Sequence, residues 1–194
     1  MKETSLPRDV ALGGRTVTLR LMTRGDGEAI LRFASAIDLH DLLFLSRDIR
    51  NPKVVAAWED QIERGQITSI VAVSEGEICG CTALVRDELS WSPHVAEIRV
   101  VIDPDQRGSG LGRVLAQETL LIAEKAGASK VFVRATVDQV AALAVFQDLS
   151  FQPEALLREH VRDADGATHD IVVLSLDLAR QEARHSSFGF EHVT

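Results

Sequence analysis

Three glycines at every second position, Gly108, Gly110 and Gly112, follow Arg107 and precede an apolar series at helical spacing, Val114, Leu115, Thr119, Ile122 and Ala123. Just upstream, Val100-Val101-Ile102 reads as the end of a buried strand, broken by Asp103-Pro104-Asp105. The glycines therefore open a helix directly behind a strand. The first amides of a helix lack partners and carry partial positive charge. Glycine lets that backbone approach a bulky anion, above all a phosphate. Arg107 adds a permanent cation. A glycine-rich turn without a ligand is the weaker reading, because so many glycines at a helix start cost stability.

The spacing discriminates between anion loops. A nucleoside-triphosphate loop requires Gly-Lys-Ser/Thr, but Gly112 is followed by Arg113-Val114. A dinucleotide fingerprint requires Gly-x-Gly-x-x-Gly, and Arg113 stands where its third glycine belongs. That loop would also follow an early strand, whereas this one lies past mid-chain. What fits is Arg-x-x-Gly-x-Gly, Arg107-Gly108-Ser109-Gly110-Leu111-Gly112. With its strand and helix, the stretch resembles the acyl-CoA pyrophosphate loop of the GNAT N-acetyltransferase superfamily.

The elements that must position this loop are read from periodicity. Residues 1–14 form a polar lead-in ending at Gly13-Gly14. Strands are expected at 16–22, 69–73, 78–85, 95–102, 130–136, 156–162 and 170–178. Helices are expected from Asp26 over Phe33 to Ile37, from Pro52 to Gly65, from the glycine loop to Lys125, and over 139–149. Residues 38–46 are open between helix and loop. Residues 179–194 read as a polar tail. The order gives an α/β (α+β) class: a mixed sheet of about seven strands with helices on both faces. The same order is that of the GNAT fold, so the resemblance covers roughly residues 15–178, within one domain spanning 1–194.

Composition narrows the function. The chain has 194 residues, enough for one core, and is 45% hydrophobic and 26% charged. It has no apolar run of membrane-spanning length, so no membrane partner is expected. The formal net charge is −8 with no basic run, which disfavours nucleic acid and weakly favours a cationic substrate. Cys79 and Cys81, on one strand face, suit reduced core thiols and a cytoplasmic location, not a disulfide framework or an acyl-enzyme. No metal site is expected from two cysteines and scattered histidines.

The resemblance implies the rest. In such enzymes the strand before the loop splays from its neighbour, and acetyl-CoA, the cosubstrate, lies in the gap. Val100, Val101 and Ile102 match the positions whose backbone pairs with pantetheine. Arg107, Gly108, Ser109, Gly110, Leu111 and Gly112 match the pyrophosphate cradle. An N–H near Val100 would face the thioester oxygen. Glu97 is the foremost candidate for the base that takes the amine's proton, with pairing to Arg99 the structural alternative. His94 is a second candidate base. The family's Asn-x-x-Ala-x-x-x-Tyr-x-x-x-Gly-Phe reads here as Gln139-Val-Ala-Ala142-Leu-Ala-Val-Phe146-Gln-Asp-Leu-Ser150-Phe151. Phe146 replaces the tyrosine that protonates the departing thiolate, and the chain has no tyrosine. Gln139 would still bond pantetheine and Phe146 would pack in the cofactor site. His40, with Asp38 and Asp41, would line the acceptor mouth, and Trp58 and Trp91 would pack in core and loop.

The expected activity is transfer of an acetyl group from acetyl-CoA to a primary amine, on a small molecule or a protein, by direct attack in a ternary complex. The protein would act as a monomer or homodimer. The rivals are a non-catalytic CoA-binding regulatory module and, less closely, a nucleotide-binding protein.

Overall fold

The computed structural model describes residues 6–179. The expected tail at 179–194 lies, apart from Ala179, outside the described residues. The chain begins with a hairpin, β1 (Arg8–Leu12) and β2 (Arg15–Leu21), turned by Gly13 and Gly14 at φ +57° and +79°. Two helices follow, α1 (Gly27–Ser35) and α2 (Pro52–Glu63). The Asn51 carboxamide caps α2 by accepting from the Lys53 N–H at 3.0 Å, with Pro52 as first helical residue. Asp26 precedes α1 as expected but does not cap it. Its carboxylate takes both Arg20 nitrogens, at 2.7 and 2.8 Å, and the Thr23 N–H at 2.8 Å. The ambiguous segment between the helices holds one 3₁₀ turn, His40–Leu42.

The remaining elements are β3 (Ile67–Thr68), β4 (Ile70–Ser74), β5 (Glu77–Val85), β6 (Val95–Ile102), α3 (Leu111–Lys125), β7 (Lys130–Thr136), α4 (Val140–Asp148), β8 (Gln152–Arg162) and β9 (Thr168–Asp177). They build a nine-stranded sheet in the order β1-β2-β4-β5-β6-β7-β9-β8, with β3 paired to β5 off this path. The expected count of about seven rises because β1 and the short β3 join. Among the described residues every pairing is antiparallel except β6 with β7.

Alternation along the strands divides the core. Val71, Cys81, Ala83 and Val101 face α1 and α2, packing with Phe33, Val55 and Trp58. Leu84, Ala96 and Ile98 face the other way, with Ala116 and Ala123 of α3 and Phe146 of α4. Trp58 is a core residue whose indole N–H reaches the Ser69 hydroxyl at 2.9 Å. Trp91, expected to pack within its loop, is fully exposed at 102%. No described helix is long and apolar enough to cross a membrane.

Candidate active site

The parallel ladder between β6 and β7 is short. It covers Val95↔Lys130, Ala96↔Val131 and Glu97↔Phe132. Both strands run on, yet among the described residues each then pairs only with its outer neighbour, β6 with β5 to Ile102 and β7 with β9 to Thr136. The wedge between them is a cleft of about 520 Å³. Ile98, Val100, Val101 and Ile102 wall one side, Arg134 and Ala135 the other, and the start of α3 closes one end.

The main chain of β6 serves its two sides in alternation. The His94 carbonyl accepts from the Lys130 N–H of β7 at 3.1 Å, and the Asp103 N–H donates to the Cys79 carbonyl of β5 at 2.9 Å. Counting in twos between these anchors, Ile98, Val100 and Ile102 turn their N–H and C=O toward the wedge. Val101 turns its own into the β5 ladder and reaches the cleft only as a wall. Of the three expected backbone partners, Val100 and Ile102 therefore have main-chain groups facing the gap.

The glycine loop adopts a conformation that glycine permits. Gly108 and Gly110 lie at φ +77° and +90°, and Gly110 immediately precedes α3. The N–H groups of Arg107 and Ser109 bond to the Pro104 and Gln106 carbonyls at 3.2 and 3.3 Å, and that of Leu111 to the Ser109 hydroxyl at 3.3 Å. Those of Gly108, Gly110, Gly112 and Arg113 have no hydrogen-bond partner among the described residues, and all four residues line the cleft. Gly80 of β5 lets α3 sit this close: a Cβ there would lie 3.0 Å from the Leu115 side chain. Free amides at a helix start, an absent side chain at three of them and a nearby guanidinium suit a diphosphate. Arg107 rests against Asp41 at 2.5 Å, and Arg113 against Asp148.

Phe146 and Gln139 also line the cleft. Phe146 packs edge-on against Phe151 at 5.4 Å. The Gln139 carboxamide accepts from the Thr136 N–H at 3.3 Å and donates to the Asp41 carbonyl at 3.2 Å, tying α4 to the 3₁₀ turn. Ser109 is the one loop residue absent from the cleft wall; its hydroxyl donates to the Gln106 carbonyl at 2.7 Å.

Glu97 is buried, 7% exposed, at the fork of the wedge, and lines neither the cleft nor the cavity behind it. Its Oε2 accepts from Arg99 at 2.5 Å, and its Oε1 from Arg134 Nε and Nη2 at 2.8 and 2.5 Å. Spacing alone suggested the Arg99 contact; Arg134 comes from a strand 37 residues away. His94 is exposed and also outside both walls. His40 does line the cleft, and its Nε2 lies 2.5 Å from Asp138 Oδ2. Asp138 passed unremarked in the sequence, because the pairing joins residues 98 apart.

A second cavity of about 170 Å³ lies on the α2 side of β5 and β6, and Val101 is a wall of both spaces. Leu45, Ile49, Val54 and Trp58 give it an apolar side, and among the described residues Arg47 and Arg99 are its only charged walls. Cys81 forms part of its floor. Complete burial pushes that thiol from 9.0 up to about 12, so it stays protonated and un-nucleophilic near neutrality. Cys79 is buried too, and its thiol is also raised, by burial foremost and by Asp103.

Comparison with known proteins joins this geometry to a family. The model for the acetyltransferase (GNAT) family matches residues 36–151. The [ribosomal protein bS18]-alanine N-acetyltransferase of Escherichia coli strain K12 is 26% identical over 80 residues, 41% of this chain and 53% of that protein. The chain thus spans about half the length of the curated relatives it matches. An N-acetyltransferase from Staphylococcus aureus Mu50 superposes with a TM-score of 0.73 at 18% identity, over 84% of this chain and 98% of that one. Ribosomal-protein-alanine N-acetyltransferase from Brucella melitensis gives 0.72 at 19%, over 82% and 99%. The acetyltransferase yncA from Salmonella typhimurium, solved with its cofactor acetyl-CoA, gives 0.70 at 19%, over 84% and 94%.

Proposed function

This chain belongs to the GNAT acetyltransferase family, and on that premise we propose that it transfers the acetyl group of acetyl-CoA to a primary amine by direct attack in a ternary complex. It is an acyl-CoA N-acyltransferase, and acetyl-CoA is the family's cosubstrate. The observation that carries the finer reading is the wedge between β6 and β7, with unpaired amides at Gly108, Gly110, Gly112 and Arg113 at one end. One sheet continues through β1 to β9, which supports treating the chain as one acetyltransferase domain.

The bound cosubstrate supplies a thioester carbonyl and a thiol leaving group. The loop amides and Arg107 hold the diphosphate, with Arg107 exchanging Asp41 for phosphate oxygens. Val100 and Ile102 pair with the extended pantetheine. The Val100 N–H receives the negative charge that develops on the carbonyl oxygen as the amine nitrogen bonds to it. A carbon–nitrogen bond forms, the carbon–sulfur bond breaks, and the sulfur keeps the electron pair.

The proton is the harder problem. An alkyl ammonium titrates near ~10.4, so the free amine costs about 4–5 kcal/mol at pH 7. Both Glu97 oxygens are engaged by guanidinium groups, which argues for a charge-balancing part. His40 is better placed as proton acceptor: it is on the cleft wall, and with Nε2–H donating to Asp138 its Nδ1 carries the lone pair. With phenylalanine at position 146, the CoA thiolate leaves unprotonated or takes its proton from water, which a thiol titrating near ~8.5 allows.

Thiol release from acetyl-CoA across a panel of amines, with calorimetry of CoA binding, tests this. Amine-dependent release that falls about 10²–10³-fold in His40→Gln is expected. Tight CoA binding without turnover on any amine would favour the regulatory module, and no CoA binding would overturn both.

A further inference from the structure

The second cavity is electrostatically unlike the chain around it. The protein carries a net charge of −8, yet among the described residues the charged walls of this cavity are Arg47 and Arg99, with no carboxylate. Arg47 makes no ion pair among the described residues, because the nearby Asp48 binds Arg50, at 3.0 Å. Arg99 gives Nη2 to Glu97, but its Nε is buried without a partner. A buried N–H left unpaired is costly, so it marks a place where an acceptor oxygen belongs. Glu97 carries one negative charge against two guanidiniums, Arg99 and Arg134. The cluster therefore keeps an excess positive charge where the cavity meets the cleft.

We propose that this cavity binds the carboxylate of the acceptor, so that the substrate is a small amine of the α-amino-acid type with an uncharged side chain. The inference rests on the acetyltransferase reading above. Arg99 and Arg47 take the carboxylate, the geometry guanidinium groups suit best. The apolar side formed by Leu45, Ile49, Val54 and Trp58 takes the side chain. Val101, common to both spaces, marks where the amine crosses toward the thioester. A polyamine would meet guanidinium groups instead of carboxylates here, and the global acidity does not reach these walls.

Matched acceptors test it: leucine, leucinamide and isopentylamine, which share a side chain and differ at the carboxylate. The intact enzyme is expected to favour leucine over leucinamide at least tenfold in kcat/KM. Arg47→Gln, at an exposed site without ion-pair partners among the described residues, and Arg99→Lys, which keeps a cation beside Glu97, should each shrink that ratio at least tenfold, through KM. Transfer to all three amines without preference, or a preference for leucinamide, overturns the carboxylate site and leaves the acetyltransferase reading standing. CoA binding with no transfer to these or any other amine overturns both.

Discussion

The guanidinium of Arg107 lies 2.5 Å from the carboxylate of Asp41, a contact that joins the anion loop to the turn between α1 and α2. Arg107 is about half exposed, so the pair is solvated and weak, on the order of 0–1 kcal/mol. Diphosphate can displace Asp41 at little cost. Asp41→Asn should therefore tighten CoA binding only slightly, up to about fivefold, while Arg107→Ala weakens it. Calorimetric Kd values for both variants check this; an Asp41→Asn enzyme that loses CoA would mean that the carboxylate helps to build the site.

Gly110 stands at φ +90° directly before α3. A side chain there costs about 1–2 kcal/mol in backbone strain and moves amides that lack partners among the described residues. Gly110→Ala should raise the Kd for CoA at least tenfold, with a fall in Tm of a few degrees. Unchanged CoA affinity would detach the loop from ligand binding.

Glu97 offers a sharper contrast. If it balances Arg99 and Arg134, Glu97→Gln leaves two partly buried guanidiniums short of a counter-charge and costs about 3 kcal/mol of stability, visible as a lower denaturation midpoint. If it were the base, kcat would collapse with stability kept. Measuring denaturation and the pH dependence of kcat on the same variant separates the two.

Burial of Cys81 makes a prediction at high pH. Its thiol is raised from 9.0 to about 12 in the fold, so between those values the unfolded chain gives up a proton that the folded chain keeps. Stability contributed by this group is complete below about pH 9 and falls as pH rises, by about 1.4 kcal/mol per unit. Cys81→Ala should flatten this alkaline slope, measured by urea unfolding between pH 8.5 and 10.5. An unchanged slope would mean the thiol does not titrate this way.

Much of this was legible in the sequence, and the exceptions share a cause. The loop was readable because its signal is local: a strand end, glycines at fixed spacing and a helix start within about two turns. β2 was legible, but β1 reads as part of the polar lead-in because Arg8–Leu12 is short and only half-buried, so its alternation is faint. The Arg134–Glu97 and His40–Asp138 pairs span 37 and 98 residues; only the sheet's crossing order brings them together. The charge of the second cavity was hidden for the opposite reason. Net charge averages over the whole surface, whereas Arg47 and Arg99 are brought to one cavity only by the fold.

β6 is also a strand whose length is not free to vary. One row of its peptide groups is hydrogen-bonded to β5 and the other faces the wedge, while its side chains send Glu97 and Arg99 to one face and Ile98 and Val100 to the other. Inserting or deleting a single residue between His94 and Asp103 would exchange both pairs of rows at once. Carboxylate and guanidinium would be driven into the packing beneath α3, and the amide meant for the thioester would turn into a neighbour's ladder. Substitutions along this strand can be absorbed one at a time; a frame change cannot.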